Sequence, residues 1–221
     1  TLDSWRAYRN YRFIWAANFF GNTALWLQLL TLGWLVKYLS EGGANSALLV
    51  VGVGGTAALP GIFIGPWGGV IGDRLDRRRL IIGIEIFMAL FALSFAFLVR
   101  MDMVEVWHAF FYAFVAGSCE SIKMPVKQAL IANTVAPDSL SNAYATNVLT
   151  IPGTRMIGPF VGGIIVASFG FFWNFTFEAL LYLGVVCSLI PMKTPFKQTN
   201  SNSAPGVAGF FEDMVEGFRY L

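Results

Sequence analysis

Long apolar runs, separated by short polar segments, follow one another along the whole chain. A helix needs about 20 predominantly apolar residues to cross the hydrocarbon core of a membrane. Six of the runs have approximately this length, so the pattern predicts six transmembrane helices. Their predicted bounds are residues 13–39, 47–71, 80–99, 107–125, 145–168 and 174–191.

Composition supports a membrane protein over a soluble one. Of the 221 residues, 56% are apolar and 13% are charged, and the mean hydropathy is +0.62. Soluble domains carry roughly a quarter charged residues, so this chain has too little polar sequence to coat a globular core. Cys119 and Cys187 fall inside predicted spans, where they act as small apolar residues and imply no disulfide framework.

The charge distribution predicts the orientation. The turn between the second and third runs, residues 72–79, is too basic to lie in hydrocarbon. Since loops rich in Lys and Arg stay in the cytoplasm, we expect this turn and both chain ends to be cytoplasmic in a multi-pass protein of the cell (inner) membrane. That side carries Arg6, Arg9, Arg12, Arg74, Arg77, Arg78, Arg79, Lys127, Lys193 and Lys197, against Lys37 and Arg100 on the other.

The chain divides near residue 192. Residues 1–192 hold all six predicted spans, whereas residues 193–206 form a polar linker without periodicity. Residues 207–221 place apolar side chains at helical spacing, which predicts an amphipathic helix. The sequence lacks an initiator Met and stops inside this patterned segment, as expected of a fragment.

A Gly-Pro motif occurs twice. Because consecutive spans run in opposite directions, the two copies lie at opposite membrane faces, as in the inverted three-helix repeats of secondary transporters. The alternative is chance recurrence in membrane helices, where Gly serves close packing. The copies are Gly65-Pro66-Trp67-Gly68-Gly69 and Gly158-Pro159-Phe160-Val161-Gly162-Gly163.

The basic turn resembles the loop signature of the major facilitator superfamily, with Asp76 where the common pattern has Gly. Residues 73–79, 22–28, 33–36, 125–130 and 143–159 are similar to the branch of enterobactin exporters and macrolide-efflux-like permeases. The motif at 158–163 is similar to the core of the antiporter signature, although Ala145 and Thr154 replace its upstream glycines. The loop signature reads Gly69-x-x-x-Asp73-Arg74-x-x-Arg77-Arg78.

This resemblance implies an all-α membrane protein in which six transmembrane helices, as two inverted repeats, form the N-terminal half of a twelve-helix fold. Residues 193–221 would then begin the cytoplasmic central linker. The implied function is secondary active, proton-coupled efflux of an amphipathic small molecule such as a drug, macrolide or siderophore. The alternatives are a facilitator or importer of the same fold, or a non-transporting half that acts as an assembly subunit.

The expected partners are membrane lipids, the substrate, protons and a C-terminal six-helix half. The sequence contains no zinc-type cluster, no Ser/His/Asp arrangement and no P-loop. We therefore expect no enzymatic activity, no cofactor and no metal. The arginine run is too short and too embedded to indicate nucleic-acid binding.

The basic turn is the candidate gate. We expect Asp73 to cap the N-terminus of a neighbouring helix, and Arg77 and Arg78 to pair with carboxylates of another helix in one conformational state. The alternative is that the arginines only set topology and contact anionic lipid. The candidate gating residues are Gly69, Asp73, Arg74, Arg77 and Arg78.

Ionisable residues inside the spans are candidate proton or substrate sites, because they are costly in a membrane. Glu120 lies three residues before Lys123, so the two share a helix face and either neutralise each other or let Lys123 extend to the interface. Arg155 needs an anionic partner, for which Glu120 and Glu178 are the candidates. Glu178 lies near the end of its span, which also fits an interfacial position.

Three further expectations concern polar and small residues. Asn18 and Asn22 share a helix face and either line a cavity or form hydrogen bonds between helices. Glu85 lies close to the basic turn and is a candidate partner for one of its arginines. Helix packing, or an antiporter-like role, is expected for Gly158, Pro159, Gly162 and Gly163.

Overall fold

A computed structural model of the chain describes residues 3–41 and 43–192, and in that part every regular element is a helix. The predicted amphipathic helix and the rest of 193–221 lie outside the described residues. The helices are α1 Asp3–Ala7, α2 Arg9–Leu39, α3 Ser46–Arg74, α4 Arg77–Arg100, α5 Val106–Ala132, α6 Leu140–Val148, α7 Thr150–Phe169 and α8 Phe171–Leu189, with a 3-10 turn at Pro137–Ser139 before α6.

The six long helices correspond to the six predicted spans. Five stretches of the described chain are long and apolar enough to cross a membrane: Arg9–Leu39, Ser46–Gly65, Arg77–Arg100, Pro137–Phe169 and Phe171–Leu189. The remaining long helix, α5, has 27 residues but carries Glu120, Lys123 and Lys127 in its second half. Because α5 packs against α3 and α4, it completes the helical bundle.

The basic turn is shorter than predicted. Helix α3 continues through Arg74 and α4 begins at Arg77, so only Leu75 and Asp76 connect them. Asp76 starts α4 because its carboxylate accepts hydrogen bonds from the backbone N–H groups of Arg78 and Arg79, at 3.0 and 3.2 Å. An acceptor at this position satisfies N–H groups that the first helical turn leaves unpaired.

Two other predicted boundaries are wrong. Helix α5 does not end near Pro125 but continues to Ala132; a methyl group at Gly68 of α3 would lie 2.9 Å from the Pro125 ring, so α3 packs directly on the proline. The turn predicted at 169–173 is the single residue Gly170, whose φ of +85° suits glycine better than any other residue.

Helix pairing follows the predicted inverted repeat. The closest pairings are α3 with α5, α4 with α8 and α2 with α7. Exchanging α2 with α5, α3 with α7 and α4 with α8 turns the first pairing into the third and leaves the second unchanged. This is the pattern that two inverted three-helix repeats produce.

Glycines bring α3 and α5, and likewise α2 and α7, into close backbone contact. A methyl group at Gly117 of α5 would overlap the Ala57 carbonyl oxygen of α3. A methyl group at Gly158 of α7 would lie 2.8 Å from the Thr23 carbonyl oxygen of α2. Such close approach is the usual role of small residues in membrane helices.

Burial differs between the helices. In the most apolar stretches of α2 and α8, half of the residues are buried inside the bundle. The buried share is 11% for the corresponding stretch of α3 and 22% for the stretch that contains α7. The outer surface is strongly apolar, as expected of a bundle in contact with lipid. Its exposed side chains include Leu48, Val51, Ile62, Phe63, Leu90, Phe97, Met156 and Phe160.

Candidate functional site

The centre of the bundle contains a cluster of charged side chains on α4 and α5. The Lys123 ammonium group lies 3.0 Å from Glu85 Oε1 and 3.0 Å from Glu120 Oε2. Glu85 is 0% exposed and Lys123 is 3% exposed. A buried charge is tolerated only when an opposite charge is close to it, and each of these two residues compensates the other.

Glu120 connects the buried pair to a cavity. Its second oxygen lies 3.4 Å from the Lys127 ammonium group, and its side chain remains 28% exposed. The cavity has a volume of about 620 Å³ and lies between α2, α3 and α5. Apart from Glu120, its lining is mostly apolar or uncharged: Leu25, Gln28, Leu29, Gly54, Ala57, Ala58, Gly61, Gly65, Ala116, Gly117, Ser121, Met124, Pro125 and Gln128.

A third carboxylate, Glu178 of α8, is 0% exposed and contacts two tyrosines. The hydroxyl groups of Tyr112 and Tyr182 lie 2.9 and 3.0 Å from Glu178 Oε1 and donate hydrogen bonds to it. The Tyr182 hydroxyl also lies 3.1 Å from Gln28 Oε1. Because Gln28 lines the cavity, Tyr182 bridges the cavity wall and the buried Glu178.

The cluster contains one more acid than base. Glu85, Glu120 and Glu178 are accompanied, among the ion pairs of the described residues, by Lys123 and Lys127. Lys123 also lies 5.6 Å from the centre of the Tyr182 ring, which brings its charge next to Glu178. With all five groups ionised, the cluster carries one uncompensated negative charge that a proton or another cation would neutralise.

Two sequence predictions about this cluster need correction, and a third position decides between two alternatives. Glu85 was expected to pair with an arginine of the basic turn, but it pairs with Lys123. Of the two alternatives predicted for Lys123, the structure supports mutual neutralisation with Glu120 over extension to the interface, because Glu85 and Glu120 both pair with its ammonium group. Glu178 does not have an interfacial position: the Tyr112 and Tyr182 rings enclose it within the bundle.

Arg155 lies outside the cluster. Its side chain is exposed on α7, and the guanidinium group lies over the Trp26 ring, 4.8 Å from its centre. The partners expected for it are occupied, since Glu120 pairs with lysines and Glu178 with tyrosines. A cation that lies on an aromatic face needs no buried carboxylate.

The two asparagines of α2 join helices. Asn18 Nδ2 donates to Asn147 Oδ1 at 2.7 Å, and Asn22 Nδ2 donates to Thr150 Oγ1 at 3.3 Å. Both contacts are made with the segment where α6 ends and α7 begins. Of the two predicted alternatives, the structure therefore supports hydrogen bonding between helices.

Two of the candidate gating residues, Arg77 and Arg78, donate hydrogen bonds to backbone carbonyl groups. Arg77 Nε donates to the Gly72 carbonyl oxygen at 3.1 Å. Arg78 donates to the Leu189 carbonyl oxygen at 2.8 Å and to that of Ile190, so it caps the C-terminus of α8 where the helix dipole favours a cation. In this conformation Arg78 contacts helix-end carbonyl groups, and its pairing with a carboxylate in another state stays a prediction.

The remaining candidate gating residues are Gly69, Arg74 and Asp73, at the end of α3. Gly69 faces open space and Arg74 is exposed at the end of α3. Asp73 lies in the last turn of α3, and its side chain falls outside the described part of the structure.

The Gly-Pro motif of α7 packs on α2. Gly158 and Gly162 contact α2 around Leu27, Gly163 approaches Trp34, and Pro159 lies within the helix. In α3 the packing glycines are Gly68 and Gly72, which contact Pro125 and Val126 of α5. In each pair the two glycines are four residues apart. In α7 the pair begins at the first residue of the Gly-Pro motif, whereas in α3 it begins at the fourth residue of the motif, Gly68.

Sequence analysis did not identify Tyr112, Tyr182 or Gln28 as site residues. The available signal was the spacing of Asn174, Glu178 and Tyr182, which lie four residues apart and form one polar stripe on an otherwise apolar helix. Among the described residues, no group of three His, Cys, Asp or Glu side chains is suited to hold a metal ion.

Comparison with known proteins places this geometry in a family. Residues 4–221 match the family model described as transmembrane secretion effector, of the major facilitator superfamily. The chain is 26% identical over 207 residues to a Na(+), Li(+), K(+)/H(+) antiporter of Planococcus maritimus, covering 91% of this chain and 45% of that protein.

Two other relatives are named as a staphyloferrin A transporter and a multidrug resistance protein. The chain is 24% identical to the staphyloferrin A transporter of Staphylococcus aureus, covering 79% of this chain and 42% of that protein. It is 25% identical to multidrug resistance protein MdtG of Proteus mirabilis, covering 73% and 40%. The chain thus spans less than half the length of these relatives, and its resemblance to the enterobactin-exporter and macrolide-efflux branch stays a prediction.

The match covers the inverted repeat, the cavity and the charged cluster alike, and the chain belongs to the transmembrane secretion effector family of major facilitator superfamily transporters.

Proposed function

We propose that the chain is the N-terminal half of a secondary active transporter that exports an amphipathic small molecule by alternating access, in exchange for protons. The observation that carries this proposal is the apolar cavity of about 620 Å³ with the partly exposed Glu120 in its wall. Ligand pockets typically combine an apolar lining with a few polar groups that orient the ligand.

The cavity suits an amphipathic substrate. Leu25, Leu29 and Met124 offer apolar contact, and Gln28 and Gln128 offer hydrogen bonds. A second six-helix half, as expected from the greater length of the relatives, would close the open side of the cavity. The proposal includes drugs, macrolides and siderophores as substrate classes, because all three are larger than a simple ion and combine apolar with polar groups.

The basic turn is proposed as the gate. Arg78 joins this turn to the end of α8, so that movement of the turn and movement of α8 are linked. Asp73→Asn is expected to slow transport while the protein still inserts into the membrane. Transport at the wild-type rate in this variant would contradict the gating role.

The test uses the full-length protein that contains this chain, in inverted membrane vesicles with an acidic lumen. Ethidium and erythromycin serve as amphipathic probes. We expect the vesicles to accumulate at least one probe and to lose it when nigericin collapses the pH gradient. Probe uptake that is indifferent to the gradient would show that protons do not drive transport.

A second candidate is exchange of a monovalent cation for protons. It is favoured by the antiporter relative from Planococcus maritimus and by the acidic excess of the cluster, which has three glutamates and two lysines. In the same vesicles, without organic probe, added Na⁺, Li⁺ or K⁺ would then release protons from the lumen. A pH-sensitive dye records this release and separates the two candidates.

A further inference from the structure

We propose that Glu178 is a proton-binding site separate from the cavity wall, and that the Tyr182 hydroxyl group transmits its protonation state to Gln28 in the cavity. This inference rests on the proposed proton-coupled transport, for which it names a coupling residue. It distinguishes Glu178 from Glu120, which contacts the cavity directly.

The two oxygens of Glu178 have different surroundings. Oε1 accepts hydrogen bonds from Tyr112 and Tyr182, whereas Oε2 is buried and has no hydrogen-bond partner among the described residues. A proton can therefore bind to Oε2 without breaking an existing hydrogen bond. A buried polar atom left without a partner costs free energy and needs an explanation, and binding of a proton at Oε2 supplies one.

Tyr182 can alternate between two acceptors. Its hydroxyl group has a single hydrogen, but Glu178 Oε1 and Gln28 Oε1 lie at nearly equal distances, 3.0 and 3.1 Å. An ionised carboxylate is the stronger acceptor, so the hydrogen points to Glu178 while Glu178 is charged. Once Glu178 binds a proton, the hydrogen is released for Gln28, whose side chain lines the cavity.

Lys123 supplies a second link. Helix α5 presents Tyr112, Cys119 and Lys123 to this region, α4 presents Glu85, α8 itself presents Tyr182, and α2 presents the uncharged Gln28. Lys123 is the cation closest to these groups in the described structure, and it already pairs with Glu85 and Glu120. An ionised Glu178 competes for this ammonium group and weakens its hold on Glu120 in the cavity wall.

The first experiment measures the proton directly. Infrared spectra of the purified full-length protein are recorded across a pH titration, and the carbonyl band of protonated carboxylic acids is followed in Glu178→Gln. Gln keeps an oxygen acceptor for both tyrosines but cannot bind the proton. We expect this variant to lose one titrating band, and an unchanged set of bands would overturn the proposal.

Tyr182→Phe provides a second readout that retains the carboxyl group. The hydroxyl group donates to Oε1 while Glu178 is ionised, so its loss is expected to shift the carboxylate stretching band that disappears when Glu178 binds its proton. A carboxylate band at the wild-type frequency would overturn the link through Tyr182. Ser94→Ala, on the exposed outer side of α4, serves as the matched control that also removes a hydroxyl group.

A transport measurement in vesicles distinguishes failure of this inference from failure of the proposed function. If the wild type accumulates probe in response to the pH gradient, Glu178→Gln should lose gradient-driven accumulation but keep exchange of labelled for unlabelled probe at equal pH. Gradient-driven accumulation at the wild-type level would overturn the proposal. If the wild type ignores the gradient, the proposed function fails, whereas the infrared titration still decides whether Glu178 binds a proton.

Discussion

Lys123 is the residue on which the other buried charges depend. Its ammonium group contacts two carboxylates, and one of them, Glu85, is completely buried. Removing one partner of a buried ion pair typically costs about 3–5 kcal/mol, because the other charge is left without compensation. We therefore expect Lys123→Met to lower the free energy of unfolding by about this amount.

Chemical denaturation in detergent micelles tests this expectation. Lys123→Met combined with Glu85→Gln removes both charges, and most of the lost stability should return. Arg79→Met is the control, since its ion pair with Asp76 at 3.6 Å has an 85% exposed arginine and stabilises little. Equal effects of Lys123→Met and Arg79→Met would show that the buried pair is not structurally important.

At this scale the sequence predicted the ionisable residues but not all of their partners. The spacing of Glu120 and Lys123 places them on one helix face, and their contact is confirmed. Contacts between helices depend on rotation and depth, which spacing along one helix does not specify. That is why Glu85 was assigned to the basic turn, and why the tyrosines around Glu178 were not foreseen.

At the scale of helices, the α2–α7 contact depends on the absence of a side chain at Gly158. A methyl group there would lie 2.8 Å from the Thr23 carbonyl oxygen and 3.0 Å from the Leu27 nitrogen, both of which belong to the backbone. Overpacking of this kind costs about 1–3 kcal/mol. Gly158→Ala is therefore expected to lower the midpoint of thermal unfolding in detergent.

Gly153, on the same helix, is the matched control, because a methyl group there would meet nothing within 4 Å. Since Ala favours a helix over Gly by up to about 1 kcal/mol, Gly153→Ala should be neutral or stabilising. If both variants unfold at the same temperature, the backbone contact does not limit stability.

Helix positions were predicted well and helix ends less well. Apolar runs identify the spans because hydrocarbon excludes polar side chains over a fixed thickness. They do not specify where a helix ends in the polar region beyond, so α3 and α4 extend into the basic turn and α5 continues past Pro125. Pro125 lies within α5 without ending it, and its ring packs on Gly68 of α3.

The orientation of the whole molecule is testable with cysteine labelling. In a variant with Cys119 and Cys187 replaced by Ala, single cysteines are introduced as Leu75→Cys, in the basic turn, and Asp102→Cys, between α4 and α5. Both positions are exposed. The excess of Lys and Arg on the side of the basic turn predicts that this side is cytoplasmic.

An impermeant maleimide should therefore label Asp102→Cys in intact cells and Leu75→Cys only after the membrane is permeabilised. The reverse pattern would contradict the predicted orientation of both chain ends. Equal labelling of both positions in intact cells would contradict the placement of α4 as a membrane-spanning helix.

The pairing of α3 with α5 has a mechanical consequence. Backbone contact at Gly117 packs these two helices closely together, while α2, α4, α7 and α8 are packed mainly on one another. The bonds of Lys123 with Glu85 and of Tyr112 with Glu178 cross the boundary between the two groups. A shift of the α3–α5 pair would have to stretch or exchange these bonds, and we therefore expect their strength to limit how readily the bundle rearranges.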